Sequence, residues 1–183
     1  MGLKTTLAVA AALFVCTGAD AAKIKLAPGA SCYAWNQNTK SKPSSVPSGG
    51  FVDESANFHC GNIHQCEELK NTHEKCFIMW EGYLQIPKDG NYRFTLNMTN
   101  FWRRDTNVKI YLNSSVLMTR LKEDAETQTA SAALKRGFVK VRVHCNPERG
   151  IDVGFLLKFA PATAMKMTAI TPSTLYHRLE DEE

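Results

Sequence analysis

The chain has 183 residues, 44% of them hydrophobic, and a formal net charge of +4. That is enough apolar material for one domain with a sizeable core. The basic residues are scattered and the C-terminal "LEDEE" is acidic, so the dense Lys/Arg tract that nucleic-acid binding requires is missing and no nucleic-acid partner is expected.

Residues 1–21 read as a secretory signal peptide. "MGLK" is a short basic start, "TTLAVAAALFVC" an apolar run, and "TGADAA" offers small residues at Ala19 and Ala21, with cleavage near Ala21 or Ala22. The run is short for a membrane span, and no later apolar stretch would cross a bilayer. A lipid attachment at Cys16 is disfavoured by the bulk of Val15 before it. The chain is therefore expected to be secreted or displayed at the cell surface.

Residues 22–50 are read as an N-terminal segment and linker. "TKSKPSSVPSGG" has little to bury, while "SCYAWNQ" carries two aromatics that should be tethered against the main body. A single domain is expected over 51–178, with its core in 77–177 and an acidic tail at 179–183. Residues 59–76 are polar and cysteine-rich, and "QCEELKNTHEKC" suits one short helix. Of six cysteines, Cys16 falls in the signal segment and five remain. Export makes disulfides the expected chemistry. Cys32, Cys60, Cys66 and Cys76 are the candidates for stapling the N-terminal half, and Cys145 is left as a free thiol or a link to another chain. Sequence spacing does not fix the pairing. His59, His64 and His73 lie among these cysteines, but Cys-x5-Cys and Cys-x9-Cys are not the close knuckle of a zinc site, so no metal is assigned.

From Phe77 the pattern is that of strands. "FIMWEGYLQIP" and "NYRFTLNM" flank the turn "KDG", a hairpin signal. Tyr92, Phe94 and Leu96 alternate with Arg93, Thr95 and Asn97, which gives one buried and one wet face. "NVKIYLN", "SVLMTRL", "GFVKVRVHC" and "IDVGFLLKF" follow, the third with Val139, Val141 and Val143 on one face. Short strands at this spacing predict an all-β antiparallel sandwich or barrel. Two N-x-[ST] sequons, at Asn97 and Asn113, would accept glycan in a eukaryotic secretory pathway.

No catalytic constellation stands out. The carboxylates Asp53, Glu54, Glu67, Glu68, Glu81, Asp89, Asp105 and Asp152 contain no marked pair of the kind glycoside hydrolysis uses. His144 and Cys145 are neighbours that point to opposite faces of a strand. Nucleophile-elbow, metalloprotease and phosphate-loop motifs are absent. The chain is read as a non-enzyme.

The order of these pieces resembles the PA-14 (protective antigen) type β-sandwich domain family. "WEGYLQIPKDGNYRFTLNMT" resembles its opening hairpin and "RRDTNVKIYLN" its loop and following strand. "ALKRGFVKVRVHC" and "GIDVGFLLKF" resemble later core strands, and "ITPSTLYH" its usual ending. The resemblance covers about residues 77–177. It implies a non-catalytic binding module that recognises a carbohydrate or glycoprotein in adhesion or cell-surface interaction. In the family's sugar-binding adhesins two neighbouring aspartates in that loop grip calcium. Here Asp105 matches the second and Arg104 stands in place of the first, where a guanidinium repels the ion, so no cofactor is assigned. The loop can still bind without metal: Trp102 would stack on a ligand face, Arg103 and Arg104 would pair with acidic groups, and the Asn107 amide would contribute hydrogen bonds. The plainer alternative buries Phe101 or Trp102 and leaves the arginines solvated. The rival function is a structural subunit of a secreted or surface complex that binds no free sugar, in keeping with the missing acidic pair and the odd cysteine. An accessory domain of a hydrolase ranks last.

Overall fold

The computed structural model describes residues 25–36, 47, 49–53, 58–60, 76–99, 106–121, 123–147, 154–171 and 173–179. They form an antiparallel β-sandwich. One sheet, of eight strands, contains β1 (Leu26–Pro28), β2 (Ala30–Asn36), β3 (Gly49–Asp53), β4 (Cys76–Ile86), β6 (Thr106–Leu112), β7 (Ser115–Arg120), β9 (Gly137–Pro147) and β12 (Leu175–Arg178). The other has four: β5 (Gly90–Met98), β8 (Thr127–Leu134), β10 (Phe155–Pro161) and β11 (Thr168–Ala169).

Alternation dictates the core. Cys76, Ile78, Trp80, Leu84 and Ile86 of β4 and Val139, Val141, Val143 and Cys145 of β9 face inward and are buried. They meet Tyr92, Phe94 and Leu96 of β5 and Phe155 and Leu157 of β10 from the opposite sheet. Trp80 anchors this contact, edge-on to Phe155 at 5.6 Å and to Phe58 at 5.9 Å, while Phe58 stacks on Phe155 at 5.3 Å. Such offset and edge-to-face arrangements add specific geometry to the area they bury. Gly82 lies on β4 where β12 passes close by. A Cβ there would meet Leu175 Cδ1 at 2.9 Å and the Tyr176 carbonyl oxygen at 3.0 Å, so the pairing of β12 requires a glycine.

The later strands read from the sequence are present, but the hairpin expected across "KDG" is not: β4 pairs with β2, β9 and β12, and β5 with β8 and β10, so the turn carries the chain from one sheet to the other and the apolar faces of the two strands meet in the core. The N-terminal half differs from its expectation. Residues 30–36 and 49–53 are not a tethered segment ahead of the sandwich but strands of its larger sheet: β2 pairs with β4 from Ser31↔Glu81 to Asn36↔Cys76, and β3 pairs with β2. β1 pairs with β12. β4 is long enough to take β2 along its first half and β12 beyond it, with β9 on its other edge. A further strand, β8, forms the edge of the smaller sheet beside β5. The expected helix over 65–76 lies outside the described residues except for Cys76, which opens β4. Residues 1–24 and 180–183, where the signal peptide and most of the acidic tail were expected, also lie outside them.

Candidate functional site

β5 ends at Met98 in the smaller sheet and β6 begins at Thr106 in the larger one, and between them Trp102, Arg103, Arg104 and Asp105 lie outside the described residues. The anchors on either side of them are described. The Thr99 amide donates to the Gly154 carbonyl at 2.9 Å. After the loop, the fully buried Arg120 reaches back from β7 and donates through Nη1 to the Thr106 carbonyl at 2.7 Å. The same guanidinium donates through Nε to Ala125 O at 3.2 Å and through Nη2 to Asp124 O at 3.3 Å. One cation thus ties the turn after β7 to the first residue of β6. A buried arginine is tolerated when its donors are satisfied in this way. Arg120 does not stand out in the sequence, where it reads as one more outward basic residue.

Asn107, the one described member of the predicted binding set, is half-buried on β6. It lines a groove of about 310 Å³ with Lys109, Tyr111, Phe77, His144 and Asn146. The strands explain this grouping. β9 is central, and its register sets Asn146 against Asn107 and His144 against Lys109 on one side and Met79 on the other. The His144 ring sits between Phe77, edge-on at 5.1 Å, and Tyr111, tilted at 4.8 Å. Phe77 in turn contacts Trp35 at 5.4 Å, and Trp35 contacts Tyr33 at 6.5 Å. The outward face of the larger sheet therefore carries an aromatic strip from β2 across β4 and β9 to β6.

The charges on this face are arranged as well. Desolvation pushes the Glu81 carboxyl up, but Lys140 Nζ at 2.8 Å and the Arg142 guanidinium at 2.9 Å outweigh it and hold the group below its ordinary value. His144 is also held low: burial, then the positive charges of Arg142 and Lys109, lower it to about 4. The imidazole is neutral at physiological pH, and its Nε2 is buried without a hydrogen-bond partner among the described residues. The groove thus offers aromatic surface, side-chain amides and a lysine, the chemistry that contacts ring faces and hydroxyl groups. Among the described residues no group of His, Cys, Asp and Glu side chains is placed to hold a metal.

Asn97 is half-buried near the end of β5, its Oδ1 accepting from Thr127 Oγ1 at 2.9 Å. Asn113 occupies the β6–β7 turn at a φ of 53° and is exposed. Its Oδ1 accepts from the Lys140 amide at 3.2 Å, which leaves the engaged atom distinct from the nitrogen a glycan would be attached to. Cys32, Cys60, Cys76 and Cys145 are all fully buried, and Cys66 lies outside the described residues. Cys145 was expected to be free or joined to another chain. In the structure it is a free thiol, and Cys32, Cys60 and Cys76 are also in the thiol form, so the expected staple is not formed among the described cysteines. The Cys145 sulfur faces inward at 0% exposure, 3.2 Å from that of Cys60, because residue 145 falls on the inward phase of β9.

No family model and no curated protein matches the sequence. Solved structures do match the fold. The PA14 domain of the MpAFP antifreeze protein superposes with a TM-score of 0.60 at 14% identity, covering 88% of this chain and 96% of that one. The PA14 sugar-binding domain of an RTX adhesin gives 0.56 at 12% identity, over 82% and 99%. The Epithelial Adhesin 9 A domain from Candida glabrata, in complex with Galβ1-4GlcNAc, gives 0.56 at 11% identity, over 84% and 90%. A β-glucosidase from Kluyveromyces marxianus also matches at 0.56 and 19% identity, but over only 19% of that protein. With nine-tenths or more of the length of each of the three PA14 and adhesin domains matched, the chain has the PA14-type fold.

Proposed function

We propose that this chain is a secreted, non-catalytic binding module that recognises a carbohydrate or a glycoprotein at the groove where β6 begins. The observation that carries the reading is the groove along the start of β6, lined by Asn107, Tyr111, Phe77 and Asn146. The likeness of the fold to a sugar-binding PA14 domain and to an adhesin domain holding a disaccharide supports it. In this reading Trp102, Arg103, Arg104 and Asp105 complete the rim, with the arginines meeting acidic or hydroxyl groups of the ligand. No cofactor is required, and Asn97 and Asn113 are the acceptors for glycan on the chain itself.

A glycan array probed with the intact protein, with calcium and with a chelator, tests the reading. Binding to a defined glycan class that is lost in Tyr111→Ala supports it. A blank array under both conditions, together with recovery of a stoichiometric protein partner by native pull-down, would instead establish the structural-subunit reading. That second reading draws its support from the aromatic strip on the outer face of the larger sheet.

A further inference from the structure

We propose that Cys60 and Cys145 form a disulfide that staples the segment before β4 to the centre of the larger sheet, beneath the loop end of the sandwich. The two sulfurs lie 3.2 Å apart, both fully buried, across 85 residues of chain. Several features place them there. Phe58 is wedged against Trp80 and Phe155, and His59 bridges Gly154, the residue whose carbonyl also holds Thr99. Cys60 follows directly, so the packing of one residue and the pairing of the next deliver its sulfur to the inner surface of β9. The rival partner for Cys145 is Cys76. The β4–β9 register sets Ile78 opposite Cys145, so Cys76 sits one inward position further along, at a diagonal separation of roughly 7–8 Å between backbones. Cys32 lies on β2, with Trp80 as its register partner on β4, and Trp80 in turn faces Val143 rather than Cys145 on β9. All four thiols are close enough to influence one another, and the 3.2 Å sulfur contact is that between Cys60 and Cys145.

The chemistry is thiol–disulfide exchange with a small-molecule disulfide such as oxidised glutathione. The Cys60 thiolate attacks one sulfur of the oxidant and releases one thiol. The Cys145 thiolate then attacks the Cys60 sulfur of the mixed disulfide and releases the second. Two thiols and one disulfide become one disulfide and two thiols, with two electrons passing to the oxidant and both protons leaving on the released thiols. Burial raises the Cys60 thiol well above its ordinary range, and the Cys145 thiol beside it adds to this; burial likewise pushes Cys76 up to about 12. Neutral, enclosed thiols are poor nucleophiles, so the bond closes during folding, before the end of the sandwich seals.

The test is to refold the full chain in a glutathione redox buffer, block thiols by alkylation and digest without reduction. The expected result is one cross-linked peptide that joins Cys60 to Cys145, lighter by two hydrogens than its parts and lost on reduction. Recovery of either residue alkylated, or linked to Cys32, Cys66 or Cys76, would overturn the assignment. Thermal melts give an independent reading: Cys60→Ala, Cys145→Ala and the double variant should all melt at the same lowered temperature in oxidising buffer. Losses that add in the double variant, and that are equally large in reductant, would mean packing alone and would overturn it too. If a variant fails to fold, the digest of the unaltered chain decides.

Discussion

Acidification from pH 7 to pH 4 should weaken the fold through His144, and the size of the effect follows from its surroundings. Phe77 of β4 and Tyr111 of β6 enclose its ring, Lys109 and Arg142 present positive charge to it, and Glu81 offers an opposing charge. Burial first, then those cations, lower the imidazole from 6.5 to about 4. The sign is that of a base that resists protonation when folded. Above pH 6.5 both states are neutral and the group contributes nothing; between 6.5 and 4 the unfolded chain takes up a proton that the folded chain refuses, so stability falls with pH. Each pH unit between the folded and unfolded values is worth about 1.4 kcal/mol, which makes the full difference about 3 kcal/mol. The ring is only half-buried, and solvent screening reduces the effect to about 1–2 kcal/mol. Urea melts at half-unit steps across this window measure the slope, and NMR of the imidazole locates the titration. His144→Gln, which keeps a polar group but cannot be protonated, should flatten the profile between pH 6.5 and 4. An imidazole that titrates at its ordinary value, or a variant with the same slope as the parent, would refute the reasoning.

Other consequences are open to direct measurement. Gly82→Ala should cost about 1–3 kcal/mol in a denaturant melt, because its Cβ would strike the Leu175 side chain and the Tyr176 carbonyl; adding Leu175→Ala should relieve little, since the carbonyl remains. Arg120→Met should cost about 1–3 kcal/mol, since it strips the donor from the buried Thr106 carbonyl and from the part-buried bonds to Asp124 and Ala125, and an amide-exchange map should localise the loosening to Thr106 and residues 123–125. Glu81→Gln should remove an acid-sensitive component that lies below that of His144. The Glu81 carboxyl is held below its ordinary value of 4.5, so its contribution is present above that pH and is lost as pH falls through the lowered folded value; an unchanged acid limb in the variant would rule this out.

The strands that the sequence made legible are those in which apolar and polar residues alternate, β4, β5, β6, β9 and β10. β8 escaped because its inward positions, Gln128, Ala130, Ala132 and Leu134, are mostly small or polar and only half-buried at a sheet edge. β2 escaped for a different reason: small residues, Ala30, Cys32 and Ala34, point inward while Tyr33 and Trp35 point outward. Alternation in hydrophobicity is erased when the outer face is itself aromatic. The same outer face hid most of the candidate site. Phe77, Tyr111 and His144 come from three strands and meet only through register, so spacing along the chain could not join them. The outward aromatics at Phe77 and Tyr111, in strands whose inner face was already apolar, were the available signal. Cys60 and Cys145 were separated for a similar reason, since counting cysteines by segment ignores that β9 lies next to β4 in space.

The geometry of the strip bears on which kind of ligand it serves. A protein partner seated across the whole outer face would need the β2 end as well as the β6 end. Trp35 is only 9% exposed, so the β2 end is already covered and adds little surface to a partner. The β6 end is where Asn107, Tyr111 and Asn146 remain half-buried around an open groove, at the small end of the volume range of ligand sites. Arg120 also anchors Thr106, the first residue of β6, next to Asn107 in the groove. A compact polar ligand with flat faces would use that arrangement fully. On the proposed carbohydrate reading the contacts to test are therefore those of Tyr111 and Asn107 rather than those of the aromatic residues of β2.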